Sequence, residues 1–224
     1  MMDTMIAFFK GFGWQRALTH LLLFGVTLIG VYLTTRYAPH GEAAYILTIA
    51  CGYLCLLLLC ITLLIGPLNL IRKRLNPVNI DLRRDVGIWA GINGALHVVF
   101  ALVEHNRGSI LAFFFRLDGR PLTNLTGISN YLGLFALIML LALLLTSNSL
   151  MLRKLKGKRW KKLQQLNYVL TTLVFIHTFA YQMAGGREKP FVDTTAIAVV
   201  IVLLIQLIGV NVYQQRKAAQ LIHR

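Results

Sequence analysis

Arg83-Arg84-Asp85-Val86-Gly87-Ile88-Trp89-Ala90-Gly91-Ile92-Asn93-Gly94-Ala95-Leu96-His97-Val98-Val99-Phe100-Ala101-Leu102-Val103-Glu104 decides how the chain is read. The stretch opens on paired arginines, turns apolar, and carries one histidine deep inside the apolar part. An ionisable side chain buried in lipid is expensive, so it marks a functional site by default. At helical spacing Gly87, Gly91, Gly94 and Ala101 share roughly one face with His97. Small residues in a row let a flat group or another backbone come close. Two readings stand at this point: a porphyrin buried against the smooth strip, or a tight helix–helix contact with His97 hydrogen-bonded across it.

The surrounding chain is of the same kind. Its 224 residues are 57% hydrophobic and 14% charged, with a mean hydropathy of +0.65. Those values exclude an ordinary soluble domain and predict an all-α, multi-pass membrane protein in a lipid bilayer. A helix needs about 20 mostly apolar residues to cross. Six stretches qualify: 17–35, 44–71, 86–104, 130–151, 166–184 and 194–214. They leave no room for a second, soluble domain, so the expectation is one domain over 1–224 with its core at about 44–184. Met5 to Trp14, with three phenylalanines around Lys10, reads as a short interfacial segment, and no removable signal peptide is expected. Gly66-Pro67 predicts a kink near the inner end of the second span.

The net charge of +15 is a matter of topology. Loops and tails on one side carry 17 Lys and Arg against 6 on the other, which puts both termini in the cytoplasm. The 152–165 segment is then a basic cytoplasmic loop, and no nucleic-acid partner is expected. Cys51, Cys55 and Cys60 share one apolar run without a CxxC or CxxCH motif, so they read as packing residues. The longest outer connection, 105–129, holds an apolar piece at Ile110 to Phe115 and a turn signal at Asp118-Gly119-Arg120-Pro121. It reads as a segment on or dipping into the outer surface. Asn124-Leu125-Thr126 matches a glycosylation acceptor, a common chance pattern.

Of the six histidines, only His97 and His177 lie deep in apolar context. His97 follows Arg84 by 13 residues and His177 follows Lys162 by 15. At 1.5 Å per residue both sit roughly 20 Å from the cytoplasmic edge, on helices running inside to outside. Two imidazoles at one depth suit bis-histidine ligation of a single b-type haem, with metal ligands His97 and His177. The competing reading is two unrelated packing histidines. With both axial positions filled, such an iron has no open site, and its role is electron relay. Arg107, Arg116 and Arg120 are candidate partners for outward-facing haem carboxylates.

Arg83-Arg84-x-x-Gly87-x-Trp89 followed by Leu96-His97 resembles the third helix of the ferric reductase-like transmembrane domain family. The resemblance runs through Arg120-Pro121, Thr146-Ser147, Met151-x-Arg153-Lys154-Leu155-x-Gly157-x-x-Trp160-x-x-Leu163 and Ile176-His177. It is strongest to the MsrQ/YedZ branch, haem-binding membrane subunits that serve a periplasmic methionine sulfoxide reductase. In that family the fifth helix usually carries a second, inner histidine, and here Gln164 stands in its place, with Arg83 near the opposing position. The resemblance therefore implies one haem and a vacated inner space where FMN, FAD or a quinone would bind. Gln164, Gln165, Asn167, Tyr168 and Thr171 supply hydrogen-bonding groups there, or merely mark a helix entering the interface.

The expected function is electron transfer across the inner membrane. A separate flavin reductase or membrane quinol is the donor, since no GxGxxG nucleotide fingerprint is present. The acceptor is a redox protein or metal outside. Rival readings are direct reduction of ferric iron or another metal at the outer face, and a haem-free scaffold subunit. The expected cofactor-binding residues are His97, His177, Gly91, Gly94, Arg83, Gln164, Tyr168, Arg107 and Arg120.

Overall fold

A computed structural model describes residues 13–37, 42–72, 80–104 and 109–222. The proposed interfacial segment therefore lies almost wholly outside the described residues, as do His40, His105, Arg107 and His223. The helices are α1 (Trp14–Tyr37), α2 (Ala43–Ile71), α3 (Ile80–Glu104), α4 (Leu125–Thr146), α5 (Ser149–Gln164), α6 (Leu166–Gly185) and α7 (Lys189–Ile222). Among the described residues there is no strand, only an isolated bridge between Phe115 and Pro121.

α2 is the post of the bundle. It packs against α1, α3, α6 and α7, and its contact with α3 is the most extensive in the molecule. A helix apolar on every side belongs in the interior, and thirteen α2 residues are buried. Cys51, Cys55 and Cys60 are free thiols among them. The helix runs through Pro67 to Ile71, and Gly209 on α7 gives Pro67 room, since a Cβ there would lie 2.7 Å from the ring.

Among the described residues, five helices are long and apolar enough to cross a membrane: α1, α2, Asp81–Glu104 of α3, α4, and Lys189–Gln220 of α7. α6 is also helical where a span is expected, but Asn167, Thr171, His177 and Gln182 interrupt its apolar character. Leu170 is 1% exposed, so the helix still packs inward. α1 behaves differently. It turns Leu21, Leu22, Leu28 and Ile29 outward, as lipid contact permits, and buries only Thr34. A polar seam ties it to α3. Arg16 forks onto Asp85 (2.5 and 3.0 Å), Trp89 Nε1 donates to His20 Nδ1 (2.9 Å), and Asn93 Nδ2 donates to Thr27 Oγ1 (3.3 Å).

The segment expected as the 152–165 loop is instead the basic helix α5, and α4 ends at Thr146 rather than 151. The cause is local: the Asn148 side chain accepts the Met151 amide hydrogen and starts a new helix. Lys156, at φ 54°, bends α5, and Trp160 Nε1 donates to Thr146 O (3.0 Å), folding the helix back onto α4. The 116–121 turn forms as expected, with Gly119 at φ 80° and Arg116 N donating to Arg120 O (2.8 Å). Asn124 caps α4, its side chain accepting from Gly127 N.

Candidate functional site

The helices enclose a cavity of about 500 Å³, named the outer cavity after the side the charge asymmetry predicts for it, into which α3 carries His97 and α6 carries His177. The ring centroids are 6.2 Å apart and the planes 88° to one another. Each ring is anchored by a backbone carbonyl: His97 Nδ1 lies 2.8 Å from Thr48 O, and His177 Nδ1 lies 2.8 Å from Ser129 O. A carbonyl only accepts, so the network assigns the proton to Nδ1 in both rings and leaves the lone pair on Nε2. That tautomer is the one a metal-ligating imidazole needs, with its second nitrogen held by the protein.

Two glycines let the rings come close to neighbouring helices. A Cβ on Gly52 would sit 2.8 Å from His97 Nδ1, and one on Gly133 would sit 2.8 Å from His177 Cε1. Neither glycine was expected from the sequence. Both are isolated glycines inside apolar helices, a pattern that often has a packing or functional reason. The separation of the rings has room for one metal between them. A metal–imidazole bond is about 2.0–2.1 Å, and the ring centre lies ~1.1 Å behind the nitrogen, so two imidazoles on one metal put their centroids about 6.3 Å apart. The observed 6.2 Å matches that spacing and is also the spacing of an ordinary edge-to-face ring pair. A cluster of three or more His, Cys, Asp or Glu is absent among the described residues, so any metal here must bring its remaining ligands.

The smooth strip of α3 divides its work. Gly94 lines the outer cavity and also packs against α4, since an added Cβ would run into Leu140 before meeting Cys55 Sγ at 3.0 Å. Gly91 instead faces Leu144 of α4, with a Cβ 2.9 Å from its Cδ1. It precedes His97 by six residues, about 120° round the helix, so it serves the helix–helix contact. Gly87 lines a second cavity.

This inner cavity, about 290 Å³, brings together Arg83, Gln164 and Tyr168, with Gln165, Asn167 and Trp160 beside them. Asn167 Nδ2 donates to Thr62 Oγ1 (2.6 Å), and Gln164 Nε2 lies 3.5 Å from Ser147 Oγ. Thr171 is buried against Asn167 O and does not line the cavity. Leu140 and Leu170 line both cavities and form the wall between them.

Of the outer arginines, Arg107 lies outside the described residues and the other two fall elsewhere than expected. Arg120 is 82% exposed and Arg116 66%, both beside Asp118 on the turn. The arginine that lines the cavity is Arg187, which donates to the Tyr45 hydroxyl (2.5 Å).

These features define a multi-pass helical membrane protein built around paired imidazoles, with a polar cavity on one side of them. The chain belongs to the ferric reductase-like transmembrane family: residues 47–176 match the profile described as ferric reductase like transmembrane component, ending one residue short of His177. It is 33% identical over 156 residues, 69% of this chain and 72% of the relative, to the protein-methionine-sulfoxide reductase heme-binding subunit MsrQ of Pectobacterium atrosepticum. It is 34% identical to the protein of that name from Pectobacterium carotovorum, covering 68% of this chain and 71% of the relative. The one from Ralstonia nicotianae is 28% identical over 80% of this chain and 76% of its own length.

Proposed function

We propose that the chain is a single-domain, haem b-binding electron-relay subunit of the inner membrane. It takes electrons on the cytoplasmic side and delivers them to an acceptor outside. The observation that carries this reading is the pair His97 and His177, 6.2 Å apart with both Nδ1 atoms held by carbonyls. Bound between them, haem would supply a one-electron couple at an iron with no position left for substrate. The protein's own part is to fix both rings, exclude water with an apolar cavity, and set the polarity around the iron.

The six spans and cytoplasmic termini follow from charge asymmetry and the six apolar stretches, with α6 as the polar-faced span. Arg83, Gln164 and Tyr168 line the inner cavity, which supports a flavin (FMN or FAD) or quinone there. Glutamine in place of an inner histidine supports one haem per chain. The donor is a separate flavin reductase or quinol. The relatives' names favour a methionine sulfoxide reductase as the outer acceptor.

The purified protein is expected to show a reducible low-spin haem spectrum. His97→Ala or His177→Ala removes one axial ligand, reduces haem content sharply and turns residual iron high-spin. Full low-spin haem in either variant refutes the shared-ligand site.

A further inference from the structure

Arg187 sits where a cation is hard to explain by the protein alone. It lines the outer cavity together with His97 and His177, on walls that are otherwise mostly apolar. Its position is built rather than incidental. Gly186, at φ 59°, ends α6 in the left-handed conformation, and the amides of Gly186 and Arg187 both donate to Gln182 O (3.1 and 3.4 Å). That cap turns the chain back so that the side chain returns over the cavity. There Arg187 Nη1 donates to the Tyr45 hydroxyl (2.5 Å), and the guanidinium carbon lies 5.6 Å from the Tyr45 ring centre.

Among the described residues no carboxylate lies within ion-pair distance of Arg187, whereas Arg16, Arg84, Arg116 and Arg120 each have one. A half-buried guanidinium facing an apolar cavity without an anion is unfavourable. Its remaining N–H groups form a planar fork suited to a carboxylate. The Tyr45 hydroxyl accepts from Arg187, so its own proton remains to be donated to the same guest.

We propose that Arg187 and Tyr45 form a carboxylate-binding site at the end of the outer cavity, taken up by the carboxylates of the haem held by His97 and His177. The assignment rests on the haem reading above and replaces the exposed Arg116 and Arg120 in that role. An acidic side chain of an external acceptor shares the chemistry, and the experiment separates the two sources.

The full-length chain, produced without a haem supply and held in lipid nanodiscs, is titrated with haem b and with haem dimethyl ester while the low-spin absorption band is followed. The wild type is expected to bind haem about tenfold or more tightly than the ester, the scale of a charge-assisted pair. Arg187→Met is expected to lose that preference while binding the ester as the wild type does, which shows its fold and histidines intact. Arg187→Lys recovers part of the preference, Tyr45→Phe loses part of it, and exposed Arg120→Met keeps all of it. Equal binding of haem and ester by the wild type overturns the assignment and leaves Arg187 to an external acid. So does a full preference in both Arg187→Met and Tyr45→Phe. Failure of the wild type to bind either compound overturns the haem reading itself, and this site with it.

Discussion

Adding one methyl group at Gly52 or Gly133 tests the site without touching a histidine. A Cβ on Gly133 would lie 2.8 Å from His177 Cε1 and 2.9 Å from Nδ1, and one on Gly52 would lie 2.8 Å from His97 Nδ1. Ordinary contact begins at 3.4 Å, so each ring must retreat by about 0.6 Å. The carbonyl bonds at 2.8 Å oppose that movement, and weakening one costs about 1 kcal/mol. Overpacking a tight helix contact adds about 1–3 kcal/mol. A metal site tolerates only about 0.5 Å of ligand displacement, so the strain falls on the metal–imidazole bond. At 1.4 kcal/mol per decade, that penalty of about 2–4 kcal/mol lowers haem affinity about thirtyfold to several-hundredfold in Gly52→Ala and in Gly133→Ala. Haem per protein and the low-spin absorption band report the loss. Gly25→Ala on α1, where a Cβ meets nothing within 4 Å, is the control and should bind as the wild type does. Undiminished low-spin haem in both alanine variants would refute the argument that these glycines seat the ligand rings.

Single cysteines introduced into 105–129 should react with an impermeant label from outside, and those in 152–165 should not; the reverse pattern overturns the orientation. Haem quantified against protein should give one per chain, because Gln164 bonds Ser147 weakly at 3.5 Å and its amide is a poor iron ligand; two per chain would refute this. Asp85→Asn removes the charge that Arg16 grips and should lower stability by about 2 kcal/mol, less than for a fully buried pair because the Arg16 side chain is 28% exposed. Thermal unfolding in detergent measures it, and an unchanged midpoint would remove Asp85 as the anchor of α1.

The parts of the site that follow from period and depth were legible in the chain. His97 and His177 stand out because each is a lone imidazole in an apolar run, counted from a basic boundary that fixes its height. Arg83, Gln164 and Tyr168 converge because their helices enter from the same end. What escaped are contacts made through backbone or through a change of chain direction. Thr48 and Ser129 matter by their carbonyls, which any residue could offer, and a side-chain pattern carries no trace of that role. Arg187 reaches the cavity only because Gly186 adopts a positive φ, whereas Arg120 has the same charge and hangs in solvent beside Asp118. Gly91 looked equivalent to Gly94, and both pack against α4 leucines, yet the turn of the helix leaves only Gly94 at the cavity. The 152–165 segment read as a loop from its charge, and a single Asn148 cap was enough to make it a helix.

The two cavities constrain how the proposed relay works. Their common wall is Leu140 and Leu170, 7% and 1% exposed, with no polar side chain shared between them. Side chains without hydrogen-bonding groups cannot carry protons, so a proton released at the inner site has no path through that wall to the histidines. An electron needs no such path, and the shared wall keeps the two sites within a side chain's reach of each other. On the proposed function, this geometry makes the inner cavity the place where a two-electron, proton-carrying donor is split. Arg83, Tyr168 and the amides of Gln164 and Asn167 are then the groups that handle its charge and hydrogen bonds. The outer cavity, with paired imidazoles on carbonyls, would then handle the electron alone. On the same proposal the arginines Arg83 and Arg84 at the inner cavity and the leucines at the wall are complementary: the first would meet the donor's charge, and the others would keep that charge from following the electron.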